Sequence, residues 1–169
     1  MKTLYLLGGP MGVGKTAVGQ ALKRSLDRSV CLDGDWCWDA HPFQVTEETK
    51  AMVLDNIAHL LNNFLRCSAY DHVIFAWVMD EAAIWDDVLS RLTLTCCRVR
   101  RVALVCSPDA LTQRLSRDVA SGLRQADVIP RSLARLPKYD AIPVVKLDTS
   151  HLTINEAALL IAGDGLYEA

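Results

Sequence analysis

The 169 residues predict an α/β fold in three layers, a five-stranded parallel sheet with helices on both faces. Three observations carry that expectation. Short apolar runs alternate with helix-periodic segments from one end of the chain to the other, the pattern of strand–helix–strand crossovers. The run His72–Met79 is apolar without alternation, as a strand covered on both faces must be. Directly after the first apolar run, Gly9–Thr16 reads G-x-x-x-x-G-K-T, the Walker A loop that joins a strand to a helix and binds phosphate.

Leu4-Tyr5-Leu6-Leu7 forms the first strand, and Ala17–Leu26 the helix after the loop, with Val18, Ala21, Leu22 and Leu26 in phase. Ser29–Leu32 is the second strand, closed by Asp33-Gly34-Asp35, and a loop of bulky side chains runs from Trp36 to Val45. Thr46 caps the next helix, and Glu47 and Glu48 complement its dipole. Met52, Val53, Ile57, Leu60, Leu61, Phe64 and Leu65 mark its apolar face, which ends near Arg66. His72–Met79 is the third strand, and Glu81–Leu92 is helical with Ile84, Val88, Leu89 and Leu92 in phase. Arg98–Cys106 is the fourth strand. Ser107-Pro108 then opens a helix to about Asp118, with proline at its first position. Ser121–Lys138 is expected to be irregular, Val144–Leu147 a fifth strand, and Thr153–Ala162 the last helix. No repeat, low-complexity tract or linker divides residues 1–169, which are read as one domain. Such a length buries about two-thirds of the unfolded surface.

A net charge of −2 disfavours a general nucleic-acid binder. No charge run suggests a membrane surface, and no apolar stretch approaches the ~20 residues of a membrane helix. Lys2 and the four apolar residues from Leu4 are too short for a signal peptide. The six cysteines, at 31, 37, 67, 96, 97 and 106, lie mostly in apolar segments without a C-x-x-C pair. They are expected to be buried free thiols of a cytoplasmic protein. A monomer or homodimer is expected, with no nucleic-acid or membrane partner.

In the loop, glycines let successive backbone N–H groups turn inward as an anion nest, and the following helix adds its N-terminal donors. Gly9, Met11, Gly12, Val13, Gly14, Lys15, Thr16 and Ala17 are therefore the candidate nucleotide contacts. Lys15 is expected at the β- and γ-phosphates and the Thr16 hydroxyl on Mg²⁺. Asp33 and Asp35 follow the second strand, on the edge where such sheets bind ligands. Two carboxylates there hold the water shell of Mg²⁺ or accept a hydroxyl proton; a D-G turn with exposed aspartates is the alternative. Asp80-Glu81 after four apolar residues also matches a Walker B box, although Glu81 equally suits the first turn of a helix. Asp80, ending a central strand, should face the cleft.

Arg114, Arg117, Arg124, Arg131 and Arg135 place five of twelve arginines within 22 residues. Phosphoryl transfer needs cations around the transferring group, often on a closing lid. A solvated helix face with ion pairs to Asp118 and Asp127 is the structural alternative. His41 lies in the loop after the carboxylates, where Trp36, Trp38 and Phe43 either wall an acceptor pocket or fill core under the loop. His59 and His72 show no metal-ligand spacing. The chain lacks the N-K-x-D box of GTPases and the L-S-G-G-Q of transporter ATPases.

With these residues in place the chain resembles the small P-loop kinases, the group of gluconate, shikimate and antibiotic kinases. Gly9–Thr16, Leu32-Asp33-Gly34-Asp35, His41-Pro42 and Arg114-Leu115-Ser116-Arg117 resemble the gluconate-kinase pattern in order. Asp148-Thr149-Ser150 resembles the triplet leading into the loop beside the adenine, so the resemblance implies Arg114 and Thr149 as nucleotide contacts. The chain departs from that pattern in the five residues Trp36–Ala40 before His41 and in Val119–Leu123, which replaces the usual G-H-F. The third strand also ends in Trp77-Val78-Met79-Asp80 rather than in small and polar residues. The resemblance implies a P-loop NTPase fold with strand order 2-3-1-4-5 and a short lid at about 119–138. The expected function is ATP-dependent transfer of the γ-phosphoryl group to a hydroxyl of a small molecule. Lys15 neutralises charge, Asp33 assists Mg²⁺ through water and Asp35 takes the proton. Arg117 and Arg124 close over the phosphates. The aromatic loop suggests an acceptor larger or flatter than gluconate. Two alternatives stay open: a nucleoside monophosphate kinase using Arg131 and Arg135, and a nucleotide-binding switch or ATPase built on Asp80-Glu81.

Overall fold

The computed structural model describes residues 1–167. Strand β1 (Lys2–Gly8) leads through the glycine loop into α1 (Lys15–Ser25), and β2 (Ser29–Asp33) ends in a 3-10 turn, Gly34–Cys37. Then follow α2 (Glu47–Arg66), β3 (His72–Ala76), α3 (Ala82–Ser90), β4 (Cys97–Val105) and α4 (Pro108–Ala120). The chain finishes with α5 (Val128–Arg135), β5 (Val145–Asp148) and α6 (Ile154–Ala162). The five strands are parallel in the order β2-β3-β1-β4-β5, as expected.

Alternation along β1 divides the core. Tyr5 and Leu7 face a cluster with Val18 and Leu22 of α1 and Ile161 of α6. Leu4 and Leu6 face the opposite cluster, with Ile57 and Leu61 of α2, Trp85 of α3 and Tyr139. Both faces of the central strand are covered, so all ligand access is at the carboxyl edge of the sheet. Helix starts follow local chemistry. Thr46 and Thr49 form a capping box at α2, Ser107 caps α4 ahead of Pro108, and Thr153 and Glu156 form a second box at α6.

Three expectations change. β3 ends at Ala76, not Met79: Met79 is fully buried, but in the connection to α3, where its carbonyl accepts the Trp85 indole N–H at 2.8 Å. Apolar character there reflects burial under a loop rather than pairing in the sheet. Ser121–Lys138 is not irregular throughout, because α5 occupies Val128–Arg135 and packs Val128, Ile129 and Leu133 on the core. Pro130 is its third residue, where a backbone N–H would have no intrahelical partner, so it does not break the helix. All six cysteines are free, but only Cys106 is buried, and Cys67 and Cys96 are exposed.

Arg100 in β4 is 6% exposed. Its guanidinium donates to the carbonyls of Ile161, Ala162 and Gly163 at the end of α6 and pairs with Asp164. It also lies over the rings of Tyr5 and Tyr167, at 5.6 and 4.5 Å. A cation thus satisfies carbonyls that the helix end leaves unpaired. Among the described residues no helix is long and apolar enough to cross a membrane.

Candidate active site

The loop between β1 and α1 turns at Gly9, Gly12 and Gly14, with φ of 147°, 81° and 108°. At Gly12 a side chain is excluded twice. The backbone is left-handed, and a Cβ would stand 2.3 Å from Leu115 Cδ2 of α4. The loop is therefore pressed against α4, which fixes its shape. Arg114, next to Leu115 in α4, donates from Nη1 to the Val13 carbonyl and to Thr149 Oγ1, both at 3.1 Å. Its Nη2 donates to the Thr149 carbonyl. Thr149 is buried, and both its N–H and hydroxyl donate to the Val105 carbonyl. Arg114 and Thr149, both expected at the nucleotide, thus bind each other and tie the phosphate loop to the segment after β5.

Lys15 opens α1, and its Nζ donates to the Pro10 carbonyl at 2.9 Å. Loss of surrounding water pushes its pKa down to about 8, against the pull of Asp35 and Asp33. The Thr16 hydroxyl donates to Asp33 Oδ2 at 2.6 Å. Asp33 is buried at the end of β2, and its other oxygen accepts the Asp35 N–H at 3.1 Å. Partial loss of water, then the neighbouring Asp33 charge, raises the Asp35 pKa above its ordinary value, while Lys15 holds it back. These groups line a cleft of about 290 Å³, with Met11, Gly12, Gly14, Ala17, Val78, Arg114, Asp118 and Arg124. A cavity of similar size, about 300 Å³, lies beside Cys106, Asp140 and Asp148 and contains no residue of the phosphate loop.

The arginines separate. Arg124 reaches the cleft, its Nε 3.1 Å from Asp118, whereas Arg117 is exposed on α4 outside the lining. Arg131 pairs with Asp127 at 3.2 Å and Arg135 with Asp80 at 3.6 Å. Asp80 does not face the cleft as expected. It lies four residues beyond β3, its side chain 11% exposed, and accepts Lys138 at 3.2 Å as well. Glu81 meets the same Lys138 at 3.4 Å. His41 and Phe43 are exposed, and Trp38 packs against Phe43 with ring centroids 4.8 Å apart.

Trp77 is the residue that sequence reasoning missed. It lies against Gly34, where a Cβ would come within 2.4 Å of Trp77 Cγ, and it lines the same cleft as Asp35. The glycine between two aspartates was the available signal: it leaves room for a ring over the turn.

The sequence model of a family described as an AAA domain matches residues 6–127. No curated protein matches the sequence. Solved structures do. The Deinococcus radiodurans tunicamycin resistance protein superposes with a TM-score of 0.68 at 20% identity, over 96% of this chain and 94% of that one. A gluconokinase from Sinorhizobium meliloti gives 0.68 at 17% identity, over 98% and 95%. Shikimate kinase from Acinetobacter baumannii in complex with shikimate gives 0.60 at 20%, over 96% and 91%. At these identities the likeness establishes the fold.

Proposed function

Since this chain belongs to the AAA domain family, whose model matches residues 6–127, we propose that the cleft transfers the γ-phosphoryl group of Mg·ATP to a hydroxyl of a small molecule. The observation that carries the reading is the cluster of Thr16, Asp33 and Asp35 beside the phosphate loop, with Thr16 Oγ1 2.6 Å from Asp33. Kinases among the structures of like fold support it. In this reading the left-handed glycines and the α1 N-terminus hold the phosphates. Lys15 neutralises charge on the transferring group, and Arg124 leaves Asp118 to close over it. Asp35, made more basic by its surroundings, accepts the acceptor's hydroxyl proton as that oxygen bonds to the γ-phosphorus and the bridge to ADP breaks.

The residues fit Mg²⁺. Among those described, no cluster of three or more His, Cys, Asp or Glu forms a protein cage, and a hydroxyl beside one buried carboxylate is the donor set of an ion shared with phosphates. Thr16 and Asp33 would hold the ion, which when bound offsets charge on the β- and γ-oxygens.

The pairing of Asp80 and Glu81 with Arg135 and Lys138 speaks against the ATPase reading, because neither carboxylate is free toward the cleft. The test is ADP release by wild type and Asp35→Asn across sugar acids, nucleosides, monophosphates and hydroxylated antibiotics. An acceptor should raise turnover ~100-fold over background, and Asp35→Asn should remove at least ~100-fold of that while ATP affinity stays within about threefold. Steady hydrolysis that no acceptor changes and that depends on Glu81 would refute the kinase.

A further inference from the structure

We propose that the acceptor is an uncharged compound carrying a flat aromatic or apolar body beside its reactive hydroxyl, and that Trp77 is the platform on which that body packs. The inference rests on the kinase reading and narrows its substrate class.

The first support is the surface left uncovered around the carboxylates. Trp77 and Val78 line the cleft on the side of Asp33 and Asp35. Trp77 packs against Gly34, the residue between the two aspartates, so the ring stands beside the turn that carries them. Next to Asp35 in the chain, Trp36 is 63% exposed, and Phe43, stacked on Trp38, is 59% exposed. Val45 and Met52 are exposed on the same loop and the first turns of α2. Asn56 of α2 donates to the Cys37 carbonyl and fastens that helix to the turn bearing Asp35. Side chains this large and this exposed do not fill core. Trp77 and Val78 are the apolar side chains of the lining beside the carboxylates, and with Trp36 next to Asp35 in the chain they fit an apolar partner.

The second support is charge. A carboxylate or phosphate carried into the acceptor end would need a cation as partner. In the kinase reading Lys15 and Arg124, which line the cleft, serve the phosphates, Arg117 is exposed on α4 outside the lining, and the remaining candidates are bound to other groups. Arg114 is bonded to Val13 and Thr149, Arg131 to Asp127, Arg135 and Lys138 to Asp80, and Lys50 to Glu47. Asp33 and Asp35 themselves would repel an anionic acceptor. This disfavours both a sugar acid and a nucleoside monophosphate, whose recognition would have fallen to Arg131 and Arg135.

The experiment separates ring from charge with two matched sets, each assayed with Mg·ATP by product detection. One is p-nitrophenyl glucoside, p-nitrophenyl glucuronide and glucose; the other is uridine, uridine monophosphate and ribose. The expected result is that the neutral ring-bearing member leads its set by at least ~10-fold in kcat/KM. Trp77→Ala should then raise KM for that compound by ~10-fold or more, while Trp77→Phe, which keeps a ring, stays within about threefold. Folding of each variant is checked by unchanged affinity for ATP. A lead for the glucuronide or the monophosphate overturns the inference and leaves the kinase standing. So does equal use of the ringless sugars, or a Trp77→Ala enzyme with wild-type KM. Transfer to none of the six, with acceptor-independent hydrolysis, overturns the kinase reading and this inference together.

Discussion

Lys15 should cost the empty protein stability, and Lys15→Met is expected to stabilise it while removing nucleotide binding. The fall of the lysine pKa from 10.5 to about 8 means that the folded chain holds this charge less favourably than the unfolded one does. At ~1.4 kcal/mol per pH unit the penalty is roughly 3 kcal/mol. Lys15 is still partly open to water, which screens some of it, and methionine gives up the 2.9 Å bond to the Pro10 carbonyl, worth about 1 kcal/mol. A net gain of about 1–2 kcal/mol remains at pH 7, a rise in Tm of roughly 3–6 °C for a domain of this size. The sign with pH is fixed. Below about 8 both states of the wild type are protonated and the penalty is complete. Between about 8 and 10.5 the folded state releases its proton first, so wild-type stability rises toward that of the variant. Urea denaturation of both proteins at pH 7 and pH 10 should show the difference shrinking by more than half. With ATP at ~100-fold its Kd the wild type should gain about 2.7 kcal/mol and Lys15→Met nothing. A variant less stable than wild type at pH 7, or a difference that ignores pH, would refute the view that an under-compensated charge waits in the cleft for phosphate.

Two further outcomes test the frame around the site. Arg100→Met should lose about 2–4 kcal/mol by denaturation, because three carbonyls at the end of α6 lose their donor. Asp164→Ala, at a residue whose side chain is 67% exposed, should lose under about 1 kcal/mol; equal losses would show that the ion pair, not the carbonyl contact, holds α6. Gly12→Ala should keep the fold yet weaken ATP binding by ~10-fold or more. A Cβ at φ of 81° and 2.3 Å from Leu115 forces the loop off α4, and affinity within twofold of wild type would sink that argument.

What the sequence made legible is what local chemistry decides. The strand, loop and first helix, the caps at Thr46 and Ser107, and the place of Asp33 and Asp35 after β2 all follow from residues within one turn of each other. What it hid depends on partners far along the chain. Met79 reads as strand because burial under Trp85 demands the same apolar character as a central strand. Arg114 reads as a free cation because Thr149, its partner, lies 35 residues away. Trp77 reads as core because nothing near it in sequence says that Gly34 will lie beneath its ring.

The contrast between Asp80 and Asp35 supports the proposed kinase over the ATPase reading. A carboxylate that activates water must keep a lone pair free toward the γ-phosphate. Asp80 has both of its neighbours, Arg135 and Lys138, on the side of α5 and the turn after it, so its charge fastens those segments to the start of α3. Asp35 has no arginine or lysine ion pair among the described residues and lines the cleft beside Trp77, and partial loss of water with the neighbouring Asp33 charge raises its pKa. Lys15 and Arg124 are likewise bound only to groups they can leave, a backbone carbonyl and a partly exposed Asp118. Charges held only by partners they can leave are those with interactions still to make, and here they converge on one cleft.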